Sequence, residues 1–305
     1  MYKNTIRKFL TFFNNVIGIG LFFICGYAIY QKVLTNQNLT TYGEQIKVQV
    51  LSITYFQWFV LVGLMGLNYL MEALKWKLVV KQKVPISTMA AIKSIFVGQT
   101  FAFFTPNRVG EYVGRTLLLE EGSKLMGMAQ MAWASYAQLL ITIVVGSVAI
   151  LWGIPFLPWL QWVAPCIAVI FTFLYFHEKE FNGWLRFLNI LQIKTDIKIK
   201  LLGRSALRYI IFLTQYAWVA HILVIDIPLD ILIISISILF LCLSVVPSIS
   251  ITELVVRGQL LVLLLAPWYQ NSLMIICLTS FIWFVNLLLP AIIGAFLLLG
   301  FRIKQ

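Results

Sequence analysis

Long apolar runs separated by short polar breaks occupy almost the whole chain. About 20 apolar residues cross a bilayer as one helix, and the segments 10–30, 51–70, 125–152 and 158–177 meet or approach that length. Two other regions carry apolar runs too short for ordinary spans. Thr88 to Phe104 and Val109 to Leu119 are interrupted by Pro106 and by charges, and Ile231 to Val246 and Ile251 to Leu265 break at Pro247. Proline removes a helix hydrogen bond and clashes with the preceding turn, so each break predicts a reversal or a sharp kink. The pattern predicts an all-α polytopic membrane protein with about six full spans and two re-entrant hairpins of opposite orientation, at 88–122 and 231–266. Two kinked full spans are the alternative, because neighbouring helices can satisfy a broken backbone within the bilayer.

Composition excludes a soluble fold and makes 1–305 a single integral membrane domain. Apolar residues form 61% of the chain and charged residues 11%. The basic residues predict topology. Lys3, Arg7 and Lys8 precede the first run; Lys75, Lys77, Lys81 and Lys83 follow the second; seven Lys or Arg lie between Lys179 and Arg208. These segments belong in the cytoplasm, together with both termini. GIPFLPW at 153–159, DIPLD at 226–230 and APWYQNS at 266–272 hold no Lys or Arg and belong outside. The first hairpin then enters from the cytoplasm and the second from the opposite side. The first apolar run is expected to be a retained span, because no small-residue cleavage site follows it. Cys25, Cys166, Cys242 and Cys277 lack CxxC spacing, and His177 and His221 stand alone, so neither a disulfide frame, a metal site nor a cofactor is predicted. The net charge of +12 is read as a topology signal that also attracts anionic lipid, with no nucleic-acid-binding pattern.

The chemistry concentrates at the two breaks. FFTPNRVGEYVGR holds Arg108, Glu111 and Arg115; VVPSISITELVVRG holds Glu253 and Arg257. A charge at the bilayer centre costs about 2.5–3.5 kcal/mol on insertion scales, so four in two matching Glu-x-x-x-Arg patterns point to a function. Paired broken helices in two halves are the mark of inverted-repeat transporters with a midplane site. Arg108, Arg115 and Arg257 offer guanidinium forks for a phosphate. Glu111 and Glu253 share a face with their arginines and can pair with them or receive a head-group amine. Asn68, Gln99, Gln130, Tyr136, Gln138 and Gln215 are candidates to line the same cavity, with hydrogen bonding between helices as the alternative, while Glu72 and Lys75 with Trp76 read as an interfacial anchor, with a cavity gate as the alternative. The alternative is that the ion pairs only pin the hairpins.

NYLMEALKWKLVV, GQTFAFFTPNRVGEYVGRTLLLEEG and PSISITELVVRG together resemble the transmembrane domain of lysylphosphatidylglycerol synthases, a family that includes stand-alone flippase-like proteins. The TPNRVGEYVGR block is the most specific part of that resemblance, which spans nearly the whole chain. At the second break, Ser248 to Thr252 replace the family's glycine-rich stretch. The resemblance implies two re-entrant elements around a cavity for a lipid head group. No aminoacyltransferase domain is expected after the last span, so lipid synthesis is not predicted. The expected function is flippase- or scramblase-like transfer of an anionic or zwitterionic lipid, with membrane lipids and a lipid-modifying enzyme as partners. Without GxxxxGK[ST], movement would be downhill or gradient-driven. A membrane-embedded transferase on a lipid-linked substrate and a partner-recruiting membrane protein are the alternatives.

Overall fold

The computed structural model describes residues 23–24, 26–27, 30–31, 39–80, 85–105, 108–117, 119, 123–153, 159–177, 193–246 and 250–299. Every regular element among them is helical. Ten helices have defined bounds: α1 (Leu39–Leu51), α2 (Tyr55–Val80), α3 (Thr88–Phe104), α4 (Gly110–Thr116), α5 (Lys124–Gly153), α6 (Leu160–Phe176), α7 (Thr195–Ile222), α8 (Leu229–Val245), α9 (Ser250–Leu265) and α10 (Ser272–Leu299). Three stretches are long and apolar enough to cross a membrane: Tyr55–Val80, Met126–Trp152 and Ser272–Leu299. Thr88–Phe104, Leu160–Phe176 and Leu229–Val245 are shorter apolar helices.

Several sequence-based boundaries shift. The polar stretch between the runs at 10–30 and 51–70 contains α1, which continues to Leu51. The second span does not stop at Leu70; α2 continues through Glu72, Lys75 and Lys77, which are good helix formers and do not end a helix merely by being charged. The basic segment ending at Arg208 is likewise helical from Thr195 onward, with Lys198 buried. The first expected span lies largely outside the described residues, as do residues 154–158 of GIPFLPW, the prolines at 106 and 247, and the end of the chain.

A large apolar core is buried between the helices, and buried polar side chains sit within it while further apolar side chains remain outside. On α2, Asn68, Glu72 and Lys75 are buried beside Leu61, Met65 and Trp76, while Tyr55, Phe59 and Leu67 are exposed. On α6, Trp162, Val169 and Phe173 face outward. Exposed apolar side chains of this kind are compatible with a membrane protein.

Small residues and hydroxyls permit close helix contacts where apolar area alone would not bring helices together in lipid. A Cβ at Gly114 would meet the Cα of Gly98, so this pair seats α4 directly on α3. A Cβ at Gly294 would meet the backbone carbonyl of Phe96, and nearby the Thr100 hydroxyl donates to the Ala291 carbonyl at 2.8 Å, joining α3 to α10. Helix α10 also contains a π turn at Phe284–Leu288, where the Leu289 N–H reaches back to the Phe284 carbonyl. The widened turn accompanies an additional contact on the Asn286 carbonyl, which accepts from the Tyr69 hydroxyl at 2.7 Å. These contacts tie α2, α3 and α10 into one unit.

Gly294→Val is expected to lower stability by about 1–3 kcal/mol, because the methyls press on backbone that cannot move aside. Gly203→Ala, at an open position of α7, is expected to leave stability unchanged or raise it by about 0.5–1 kcal/mol. Thermal unfolding of both purified variants in detergent measures the contrast.

Candidate functional site

The break between α3 and α4 is closed by a short polar clasp. The Thr105 hydroxyl donates to the Phe101 carbonyl at 2.9 Å and accepts from the Gly110 N–H at 2.8 Å. Arg108 lies between them with φ of 56°, in the left-handed region that a non-glycine residue enters at a cost of about 1–3 kcal/mol. Glu111 follows in the first turn of α4 and Arg115 in its last, one turn apart on the same face. At the second break Glu253 occupies the first turn of α9 with Arg257 one turn on, and the Trp283 indole N–H donates to the Ser250 carbonyl at 2.7 Å, holding the start of α9 against α10.

Both Glu-Arg pairs open onto one cavity of about 620 Å³. On its wall Glu72 of α2 joins three cations. Its Oε1 accepts from Arg115 Nη1 at 2.8 Å, and its Oε2 from Lys75 Nζ at 3.1 Å and Arg208 Nη1 at 2.6 Å. Arg115 also pairs with Glu111, and Arg257 with Glu253. Arg257 Nη1 donates in addition to the Tyr216 hydroxyl at 3.1 Å. Arg208 Nε donates to Asn68 Oδ1 at 2.7 Å, and Lys75 Nζ to Gln138 Oε1 at 3.3 Å. Arg108 donates to Gln99 Oε1 and lies 3.7 Å from Glu111.

The two broken elements are supported in parallel ways: Arg115 of α4 leans on Glu72 of α2, and Arg257 of α9 on Tyr216 of α7. Helices α2 and α7 are themselves packed together and cross-linked by Arg208. The Nε atoms of Arg108, Arg115 and Arg257 are buried without a hydrogen-bond partner among the described residues. Phe212, Phe240, Leu243, Val245 and Val246 line the same cavity, with Phe212 lying 5.5 Å beneath the Arg208 guanidinium and Val245 78% exposed.

Arg108, Glu111, Arg115, Glu253 and Arg257, singled out in the sequence, therefore share one cavity wall. Of the expected further lining residues, Gln138 reaches it, alongside Ser135, Leu139 and Thr142 on the same face of α5. Asn68 and Gln99 are not among the cavity-lining residues; each accepts through its amide oxygen from an arginine that is, Arg208 and Arg108. Tyr136 is turned away from that face of α5 and donates to the Phe171 carbonyl of α6 at 2.8 Å. Gln130 is buried elsewhere on α5, about 12 Å along the axis from Gln138 at 1.5 Å per residue. Gln215 is buried against α2, where its amide donates to the Leu61 carbonyl at 3.5 Å.

Of the two readings of Glu72 and Lys75, their place favours the cavity over an interfacial anchor: both are buried, at 6% and 1% exposure, and line it. Arg208, counted only as a topology signal, reaches the same carboxylate from α7. The spacing of Asn68, Glu72 and Lys75 at i, i+4 and i+7 carried the hint, since it lines one helix face with polar groups inside an apolar run. Among the described residues no three His, Cys, Asp or Glu side chains gather as a metal site would require.

Glu72→Gln leaves Lys75, Arg115 and Arg208 buried around a neutral amide, and is expected to cost about 3–5 kcal/mol of stability. Glu253→Gln, which strips one cation of its partner, is expected to cost less. Thermal melts of the two variants give the ranking, and equal melting temperatures for Glu72→Gln and wild type would remove Glu72 from the centre of the network. Compared with protein-family models, curated proteins and solved structures, the chain matches none of them.

Proposed function

We propose that this protein moves an anionic or zwitterionic lipid between leaflets, with the phosphate of the head group handled by Arg108 and Arg257 in the cavity between the two broken elements. The observation that carries this reading is the shared cavity: charges from both elements and a set of apolar side chains line it together. A lipid combines the same two chemistries. Guanidinium N–H groups suit phosphate oxygens, and the side chains of Arg108 and Arg257 both line the cavity.

Within this proposal α3 with α4, and α8 with α9, are re-entrant hairpins of opposite orientation among about six full spans, with both termini cytoplasmic. Their opposed entry would supply a polar path from each side to the same cavity. The resemblance of TPNRVGEYVGR to the lysylphosphatidylglycerol synthase membrane domain supports the same reading. Arg115 is bound by two carboxylates, Glu72 and Glu111, which favours a structural part for it and leaves the lipid contact to Arg108 and Arg257.

In proteoliposomes carrying a fluorescent phospholipid, Arg108→Ala and Arg257→Ala are each expected to slow transfer at least about tenfold while the protein stays monodisperse, since a charge-assisted hydrogen bond contributes about 1.5–3 kcal/mol. Wild-type transfer rates in both folded variants would overturn the proposal, and leave the pairs as fold-holding contacts.

A further inference from the structure

Eight ionisable side chains line the cavity, and their charges do not cancel. Lys75, Arg108, Arg115, Arg208 and Arg257 are five cations; Glu72, Glu111 and Glu253 are three carboxylates, leaving an excess of two positive charges among the described residues. All three carboxylates are already committed. Glu72 holds three cations, Glu111 pairs with Arg115 and lies near Arg108, and Glu253 pairs with Arg257. None is left to receive a head-group amine. Meanwhile the Nε donors of Arg108, Arg115 and Arg257 are buried with no acceptor among the described residues.

From this imbalance we infer that the cavity selects a group carrying two negative charges, a terminal phosphate monoester or a diphosphate, over a phosphodiester head group. The inference rests on the reading of the cavity as a head-group site and narrows its substrate class. An excess charge away from bulk water is poorly screened, so a ligand that neutralises it is favoured over one that does so by half. A phosphodiester brings one negative charge, and a head-group amine cancels even that. A phosphate monoester brings about −1.5 to −2 at pH 7 and three acceptor oxygens. Those oxygens can be met from both halves at once, by Arg108 of the first and by Arg208 or Arg257 of the second. The apolar lining residues Phe212, Phe240, Leu243 and Val245 offer the contact an acyl or isoprenyl chain requires.

The test uses the full-length protein reconstituted in phosphatidylcholine vesicles doped with phosphatidic acid, phosphatidylglycerol or phosphatidylethanolamine of identical acyl chains. Phosphatidic acid is expected to be transferred at least about tenfold faster than phosphatidylglycerol, with phosphatidylethanolamine slowest. Arg208→Gln, which halves the excess charge, is expected to narrow the ratio of phosphatidic acid to phosphatidylglycerol about tenfold. Should that variant fail to fold, the wild-type head-group series decides alone. Equal transfer of phosphatidic acid and phosphatidylglycerol overturns this inference and leaves lipid transfer standing. Transfer of no lipid, with no binding of any of the three, overturns both. Competition by inorganic phosphate or pyrophosphate at concentrations matching phosphatidic acid supports the doubly charged ligand and assigns it to a soluble source.

Discussion

One carboxylate organises this molecule. Glu72 accepts hydrogen bonds from Lys75 of its own helix, Arg115 of α4 and Arg208 of α7. A charge removed from water must find a partner or impose a desolvation cost of several kcal/mol, so three cations drawn to one acid fix the positions of three helices. Helix α4 shows the consequence most directly. It has only seven residues, too few to be stable alone, and it keeps its place through Arg115 and the glycine contact with α3.

The interior and exterior of the protein follow from the same constraint. Apolar residues do not drive helices together when the surroundings are equally apolar, and large hydrophobic side chains remain on the outer faces of α2 and α6. Beside the packing of the buried apolar core, specific polar contacts and close backbone approaches hold the helices: Arg208 across α2 and α7, Thr100 and Gly294 between α3 and α10, and Tyr69 against the π turn of α10. The interactions that hold the fold are also the walls of the cavity. A substitution that alters the proposed head-group site therefore perturbs stability as well, and the two effects separate only where a side chain, such as that of Arg108, is bound to its surroundings by a single carboxylate and an amide.

Much of the site was legible before any folding was considered. Ionisable residues inside apolar runs are rare enough that Glu111, Arg115, Glu253 and Arg257 announce themselves, and a proline before each pair marks the two breaks. The helical class followed from apolar length alone. Less legible was the part played by Glu72, Lys75 and Arg208. Charges near the end of an apolar run are ordinarily topology signals at the membrane surface, and nothing in one-dimensional spacing separates such a residue from one folded inward. Tyr136 and Gln130 failed in the converse way: their polarity was visible, but the direction each faces depends on which neighbour α5 presents to it.

The sequence by itself determined a helical, lipid-compatible chain with two charged breaks, because apolar length and the cost of buried charge are local properties. Only the tertiary structure decided that both breaks meet at one cavity, that Glu72 joins three cations on its wall, and that cations outnumber carboxylates among the described residues there. Those facts depend on residues 43 to 136 positions apart, Arg115 and Arg208 against Glu72, and such pairings are set by how helices pack rather than by what any one helix contains.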